Sequence, residues 1–170
     1  MGRDMTVRDS VVIEGVAPRY VYDLLSDPSR MGRWSPENLG ADVPQRDQPA
    51  YVGMTFVGQN KRGRLRWSTR CTVTAADPGE RFAFRVHAIG LRMPLLPGAI
   101  ATWDYRFQPH GDGTRVTEIW TDRRRAWPDA VAERFDRLAT GGRTFAEFQQ
   151  GNIARTLSRL KQDLEGSDSH

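Results

Sequence analysis

The order of its segments constrains this chain most. Thr6 to Glu14 reads as a strand, and a punctuated stretch of two short helices follows it. Then comes a long run of strand-like segments, and one amphipathic helix from about Gly142 to Glu165 closes the sequence. A sheet whose only long helix comes last must bury its apolar face against that helix or leave a hollow between the two. Aromatic residues fall on the strands and on the helix. The pattern therefore predicts an α+β domain, an antiparallel sheet around a long C-terminal helix, with a greasy and sparsely polar internal cavity.

The local signals support that order. Ala17-Pro18 opens a short helix with proline in the first turn and Val21, Leu24 and Leu25 on its apolar face. Ser26-Asp27-Pro28 stops it and starts a second, carrying Met31 and Trp34, which ends at Ser35-Pro36. Thr55–Gln59 and Leu65–Ala75 read as strands joined by an Asn60-Lys61-Arg62-Gly63 turn. Along the second, Leu65, Trp67, Thr69, Cys71 and Val73 alternate with polar residues, giving one buried and one wet face. Phe82, Phe84 and Val86 alternate likewise. Two prolines in Gly90–Gly98 argue against a central strand, so this segment reads as an apolar loop. Ile100–Phe107 and Val116–Asp122 read as the last strands. Trp127-Pro128-Asp129 starts a short helix carrying Val131, Phe135 and Leu138, interrupted at Gly141-Gly142. In the final helix Ile153, Leu157, Leu160 and Leu164 form one stripe, aliphatic toward the C-terminus. Phe145, Phe148, Gln149 and Asn152 extend it toward the start, where the mixture suits a pocket wall.

Composition narrows the functional classes. At 170 residues, 38% hydrophobic and 27% charged, the chain suits one soluble domain over residues 1–166 with a polar tail at 167–170. The N-terminus has no signal-peptide core, and its loose myristoylation pattern at Gly2 and Thr6 is short enough to arise by chance. Cytoplasmic residence is the default, without stable membrane insertion. The single cysteine, Cys71, excludes an intramolecular disulfide, and the three scattered histidines offer no metal-ligand spacing. The net charge is +4, from 25 basic residues of which only Lys61 and Lys161 are lysines. The arginines are spread along the chain, as on a solvated surface. Nucleic acid is therefore not expected as a partner, the one local cluster being Arg123-Arg124-Arg125.

The chain resembles the SRPBCC superfamily, also called START-like or Bet-v-like, over nearly its whole length. The likeness is carried by Ala17-Pro18…Val21-Tyr22-Asp23-Leu24-Leu25-Ser26-Asp27-Pro28 and Met31-Gly32-Arg33-Trp34-Ser35-Pro36-Glu37. It continues through Asn60-Lys61-Arg62-Gly63…Trp67, Asp77-Pro78-Gly79-Glu80-Arg81-Phe82-Ala83-Phe84, Ala101-Thr102-Trp103-Asp104-Tyr105 and Gly113-Thr114-Arg115-Val116-Thr117-Glu118, and ends with Thr156-Leu157…Leu160-Lys161. The polyketide cyclase/dehydrase-like branch is the closest in look. The resemblance implies a helix-grip fold and a cavity for a hydrophobic small molecule. It does not imply catalysis, because the superfamily also holds carriers and proteins of no known role.

Glu118 and Tyr105 are the candidate catalytic pair. Glu118 shares its strand phase with Val116 and Trp120. Either it points inward, where burial raises its pKa and suits it to general acid–base work, or the phase is reversed and it pairs with an arginine. Tyr105, in phase with Trp103 and Phe107, either donates to a ligand carbonyl or fills space. Trp34, Trp67, Thr69, Phe84, Trp103, Trp120, Phe145, Phe148, Gln149 and Asn152 are the candidate ligand-binding residues. Leu91, Met93, Leu95 and Leu96 form a candidate gate over the entrance, or bury into a homodimer contact. Cyclisation or dehydration of a polyketide-like ligand, without cofactor or metal, is the expected function. A non-catalytic carrier of an apolar metabolite and a stress or regulatory protein are the alternatives.

Overall fold

The computed structural model describes residues 5–166, so the N-terminal pattern at Gly2 and the polar tail lie outside the described residues. Seven strands form one antiparallel sheet: β1 (Thr6–Ile13), β2 (Asn38–Asp42), β3 (Thr55–Arg62), β4 (Leu65–Asp77), β5 (Arg81–Gly90), β6 (Leu96–His110) and β7 (Gly113–Asp122). Their spatial order is β1-β7-β6-β5-β4-β3-β2. Between β1 and β2 lie helix α1 (Pro18–Leu25) and a 3₁₀ turn at Pro28–Arg33. After β7 come α2 (Asp129–Thr140) and the long α3 (Phe145–Gly166). This is the helix-grip arrangement.

Antiparallel pairing sorts the connections to two ends. The β3–β4 and β5–β6 turns, the end of β7, α2 and the start of α3 lie at one end. The β4–β5 and β6–β7 turns, α1 and the end of α3 lie at the other. There the Glu14 amide donates to Glu165 Oε1 (3.0 Å) and Lys161 Nζ donates to the Val12 carbonyl (2.6 Å). That second end is solid. Ile13, Val21, Phe82, Val116, Ile153 and Leu160 are fully buried there, and Tyr22 of α1 meets Phe107 edge-on. The aliphatic half of the α3 stripe thus packs as its spacing predicts.

Four boundaries differ from the sequence reading. The final helix begins at Phe145, not Gly142, because Gly141 (φ 73°) and Gly142 (φ 113°) are left-handed and close α2. Thr144 then caps α3 reciprocally: its amide donates to Glu147 Oε2 (2.9 Å), and the Glu147 amide donates to Thr144 Oγ1 (3.2 Å). The β3–β4 turn is only Gly63-Arg64, with Gly63 at φ 58°, so Asn60 and Arg62 are strand residues. β6 starts at Leu96 and absorbs Pro97 where its register against β5 shifts, a bulge position that tolerates a missing amide donor. The extra strand β2 has no β-branched residue to signal it, and it bends at Gly40 (φ 115°).

A buried ion cluster ties α2 to the sheet. Arg124, just past β7, donates to Asp122 Oδ2 (2.8 Å) and to Asp136 Oδ1 of α2 (2.7 Å), with all three side chains at most 2% exposed. Asp136 Oδ2 also accepts the Phe145 amide at the start of α3 (3.0 Å). Removing the cation leaves two desolvated carboxylates. The variant Arg124→Met is expected to lose about 3–5 kcal/mol of unfolding free energy. Urea denaturation checks this, and a loss below about 1 kcal/mol, the range of an exposed pair, shows that the cluster does not hold α2.

Candidate functional site

The sheet curls around a cavity of about 370 Å³ at the first end. Its walls come from the concave side of β3–β7, the first turns of α3, the inner side of α2 and the 3₁₀ turn. Most of the lining is apolar, including Phe56, Trp67, Phe84, Val86, Trp103 and Trp120. Two polar groupings interrupt it.

The first grouping is Glu118 with Tyr105. Glu118 is 2% exposed and Tyr105 3%, and the register pairs them directly across β6 and β7. The inward phase is therefore the observed one. The Tyr105 hydroxyl donates to Glu118 Oε1 (2.7 Å) and lies 3.7 Å from Met31 Sδ. Glu118 Oε2 has no hydrogen-bond partner among the described residues. Burial pushes the Glu118 carboxyl up to about 8; the Tyr105 hydrogen bond opposes this, and the Asp9 carboxylate adds to it. Burial, then Glu118, raises the Tyr105 phenol well above its ordinary value.

The second grouping stands nearer the open end. Arg62 pairs with Glu37 Oε1, Asn152 Nδ2 donates to Glu37 Oε2 (2.9 Å), and Arg62 Nη1 donates to the Ala139 carbonyl of α2 (2.7 Å). The Arg62 guanidinium lies 3.7 Å from the Phe148 ring centroid and 5.2 Å from that of Trp67. Burial raises the Glu37 pKa, and Arg62 opposes the rise. Sequence reasoning missed this grouping by assigning Asn60 and Arg62 to a turn. The signal was present: Phe56, Gly58, Asn60 and Arg62 share one strand phase, and all four line the cavity.

Of the candidate residues, Glu118, Tyr105, Trp67, Thr69, Phe84, Trp103, Trp120, Phe145, Gln149 and Asn152 all lie on the cavity wall. Two expected wall residues do not. Trp34 is buried behind the wall, where its indole Nε1 donates to Asp163 Oδ2 of α3 (2.9 Å). Phe148 is turned away by one helical step and supports Arg62 from outside the lining. Of the expected gate, Leu91 and Leu96 reach the cavity, whereas Met93 and Leu95 point into solvent. Cys71 lines the wall with its thiol pushed up to about 12 by burial, so it is a poor nucleophile at neutral pH. His87 is off the cavity, paired with Thr72 Oγ1 (2.8 Å).

Fold and cavity together define a helix-grip protein that encloses an apolar chamber containing a paired carboxyl and phenol. The family model described as polyketide cyclase / dehydrase and lipid transport matches residues 4–165, and the chain belongs to that family, within the SRPBCC superfamily. No curated protein matches the chain. Among solved structures, the polyketide cyclase-like protein Cgl2372 from Corynebacterium glutamicum is 27% identical, with a TM-score of 0.60 over 100% of this chain and 97% of that one. Protein NE0264 from Nitrosomonas europaea is 13% identical, with a TM-score of 0.66 over 100% of both chains. DynU16, described as a protein in the dynemicin biosynthetic locus, is 16% identical, with a TM-score of 0.61 over 97% of this chain and 49% of its own.

The Glu118 shift makes stability pH-dependent. Its folded pKa lies above the ordinary value of 4.5, so the folded state holds a proton that the unfolded state has released. That contribution is complete below 4.5 and is lost as pH rises toward about 8, at up to about 1.4 kcal/mol per pH unit. Glu118→Gln is expected to flatten the stability curve over this window, measured by urea unfolding at several pH values. Parallel curves for variant and wild type would show that the carboxyl is not desolvated.

Proposed function

We propose that the protein binds a polycyclic or polyketide-like small molecule in the cavity and catalyses its cyclisation or dehydration by proton transfer at Glu118. The observation that carries this reading is a fully buried carboxyl on an apolar wall, hydrogen-bonded through one oxygen to a phenol and unpartnered at the other. With a pKa near 8, Glu118 is mostly protonated at neutral pH. It then serves as a general acid toward a ligand carbonyl or a departing hydroxyl, and the carboxylate left behind takes a proton from carbon to complete the cycle. Tyr105 orients the carboxyl and keeps its pKa from rising further. The aromatic walls hold one folded conformer, so proximity supplies part of the rate. The family description and the biosynthetic setting of DynU16 support a substrate of this class.

A carrier reading is favoured by a different observation. Glu37 is already bonded to Arg62 and Asn152, so the second polar grouping is largely satisfied without a ligand. Among the described residues the buried polar atoms of the wall left without a partner are Glu118 Oε2 and Arg62 Nε, and a chamber with so few free polar atoms binds well without turning over.

Comparing turnover with binding separates the two. Glu118→Gln keeps the side chain's size and is expected to lower turnover of aromatic polyketide intermediates about 100- to 10,000-fold, with affinity little changed. The wild-type rate should fall as pH rises through about 8. Tyr105→Phe removes the hydrogen bond that lowers this pKa and should move the falling limb to higher pH. Unchanged turnover in a folded Glu118→Gln protein removes Glu118 as the acid. Binding without turnover in the wild type leaves the carrier.

A further inference from the structure

The open end of the chamber differs from the rest of the surface in two independent ways. Its apolar side chains are exposed. Leu91, Met93 and Leu95 of the β5–β6 turn and Leu96 at the start of β6 are 61–74% exposed, Leu138 of α2 is 80% and Leu65 at the start of β4 is 45%. Leu65, Leu91, Leu96 and Phe135 also line the cavity, so this greasy rim runs without a break into the chamber. The same end is strongly basic. Over residues 61–66, 91–96 and 123–147 the exposed charged side chains are Lys61 and eight arginines against two carboxylates, Asp129 and Glu147. The chain as a whole carries only +4. Eight of the chain's 23 arginines, separated along the sequence, thus meet in space, because antiparallel pairing brings both turns and α2 to one end.

We propose that this end docks on an anionic lipid bilayer, with the aliphatic turn tips entering the headgroup region and the arginines meeting lipid phosphates, so that the chamber's mouth opens onto the membrane. Charge complementarity selects an anionic surface. The turn tips select lipid over nucleic acid: they are aliphatic and gain only where apolar area can be buried, while the exposed aromatics of this end, Trp127 and Phe135, pack edge-on against each other. A ligand of the apolar cavity then passes between bilayer and chamber without crossing water. The docking is peripheral, since among the described residues no helix is long and apolar enough to cross a membrane. It does not depend on proton chemistry at Glu118, so it stands or falls separately from the proposed catalysis.

Vesicle co-sedimentation tests it on the full chain. The wild type is expected to sediment with vesicles of mixed phosphatidylcholine and phosphatidylglycerol, not with phosphatidylcholine alone, and to be released by salt. Met93→Asp/Leu95→Asp removes the tips without touching the cavity wall and should abolish binding. Arg64→Glu/Arg92→Glu should weaken it by about fivefold or more for each residue reversed. Circular dichroism melts and uptake of a fluorescent apolar dye report that each variant is folded with its chamber intact. No sedimentation of the wild type with the anionic vesicles at low salt overturns the proposal, as does wild-type sedimentation by both variants. Self-association that the tip variant abolishes and vesicles fail to compete away also overturns it, by assigning the surface to a second copy of the chain.

Discussion

One helix cannot cover the concave face of seven strands. Six strand spacings make the sheet about 29 Å wide, while a helix with its side chains is about 10 Å across. The 22 residues of α3 give a rod about 33 Å long, enough to run the full height of the sheet but not its width. The helix lies against β1 and β7. Curling of the sheet and the α1 segment close one end. The inner surface of β3–β6 at the other end has nothing to pack on, and the cavity is that uncovered area. Its lining is apolar because the same alternation that fills the core continues past the point where the core stops.

Three carboxylate groupings are buried or largely buried among the described residues, two on the cavity wall and one outside it, and they differ in how fully they are satisfied. Asp122 and Asp136 share Arg124 and backbone amides, so their charge is stabilised and α2 is fastened. Glu37 has Arg62 and Asn152, and through Arg62 it reaches the carbonyl of Ala139, holding the far end of α2. Glu118 has only a phenol. No cation offsets its desolvation, so its proton stays on through neutral pH. A well-packed apolar residue at this position would cost the fold less than this carboxyl does. A carboxyl in this state suits proton exchange with a bound molecule.

The parts legible in the sequence are those ruled by a local period. The β7 alternation of Val116, Glu118 and Trp120 is inward, and the α3 stripe divides into an aliphatic half in the core and a Phe145, Gln149, Asn152 half on the cavity. What escaped depends on distant partners. Trp34 has the composition of a pocket residue, but its indole is held by Asp163, 129 residues away. Phe148 sits at the edge of the stripe, and only the position of Arg62 decides which side it serves. Asn60 and Arg62 look like turn residues until Gly63 shows that two residues suffice to reverse the chain. Pro97 looks like a strand breaker until a register shift absorbs it.

The two ends of the molecule therefore carry opposite demands. The α1 end has its backbone termini bonded and its side chains close-packed, so motion there breaks many contacts at once. At the other end α2 buries only Ala132 and Asp136 and turns Val131 and Leu138 to solvent. It is held by directed polar anchors, Asp136 to Arg124 and the Ala139 carbonyl to Arg62, rather than by a broad apolar face. Left-handed Gly141 and Gly142 separate it from α3. Directed anchors with little area beneath them release at a few points instead of peeling progressively. Of the two, the Arg62 anchor lies on the cavity wall. The Arg124 cluster stands outside the cavity lining and joins the middle of α2 to the end of β7 and the start of α3.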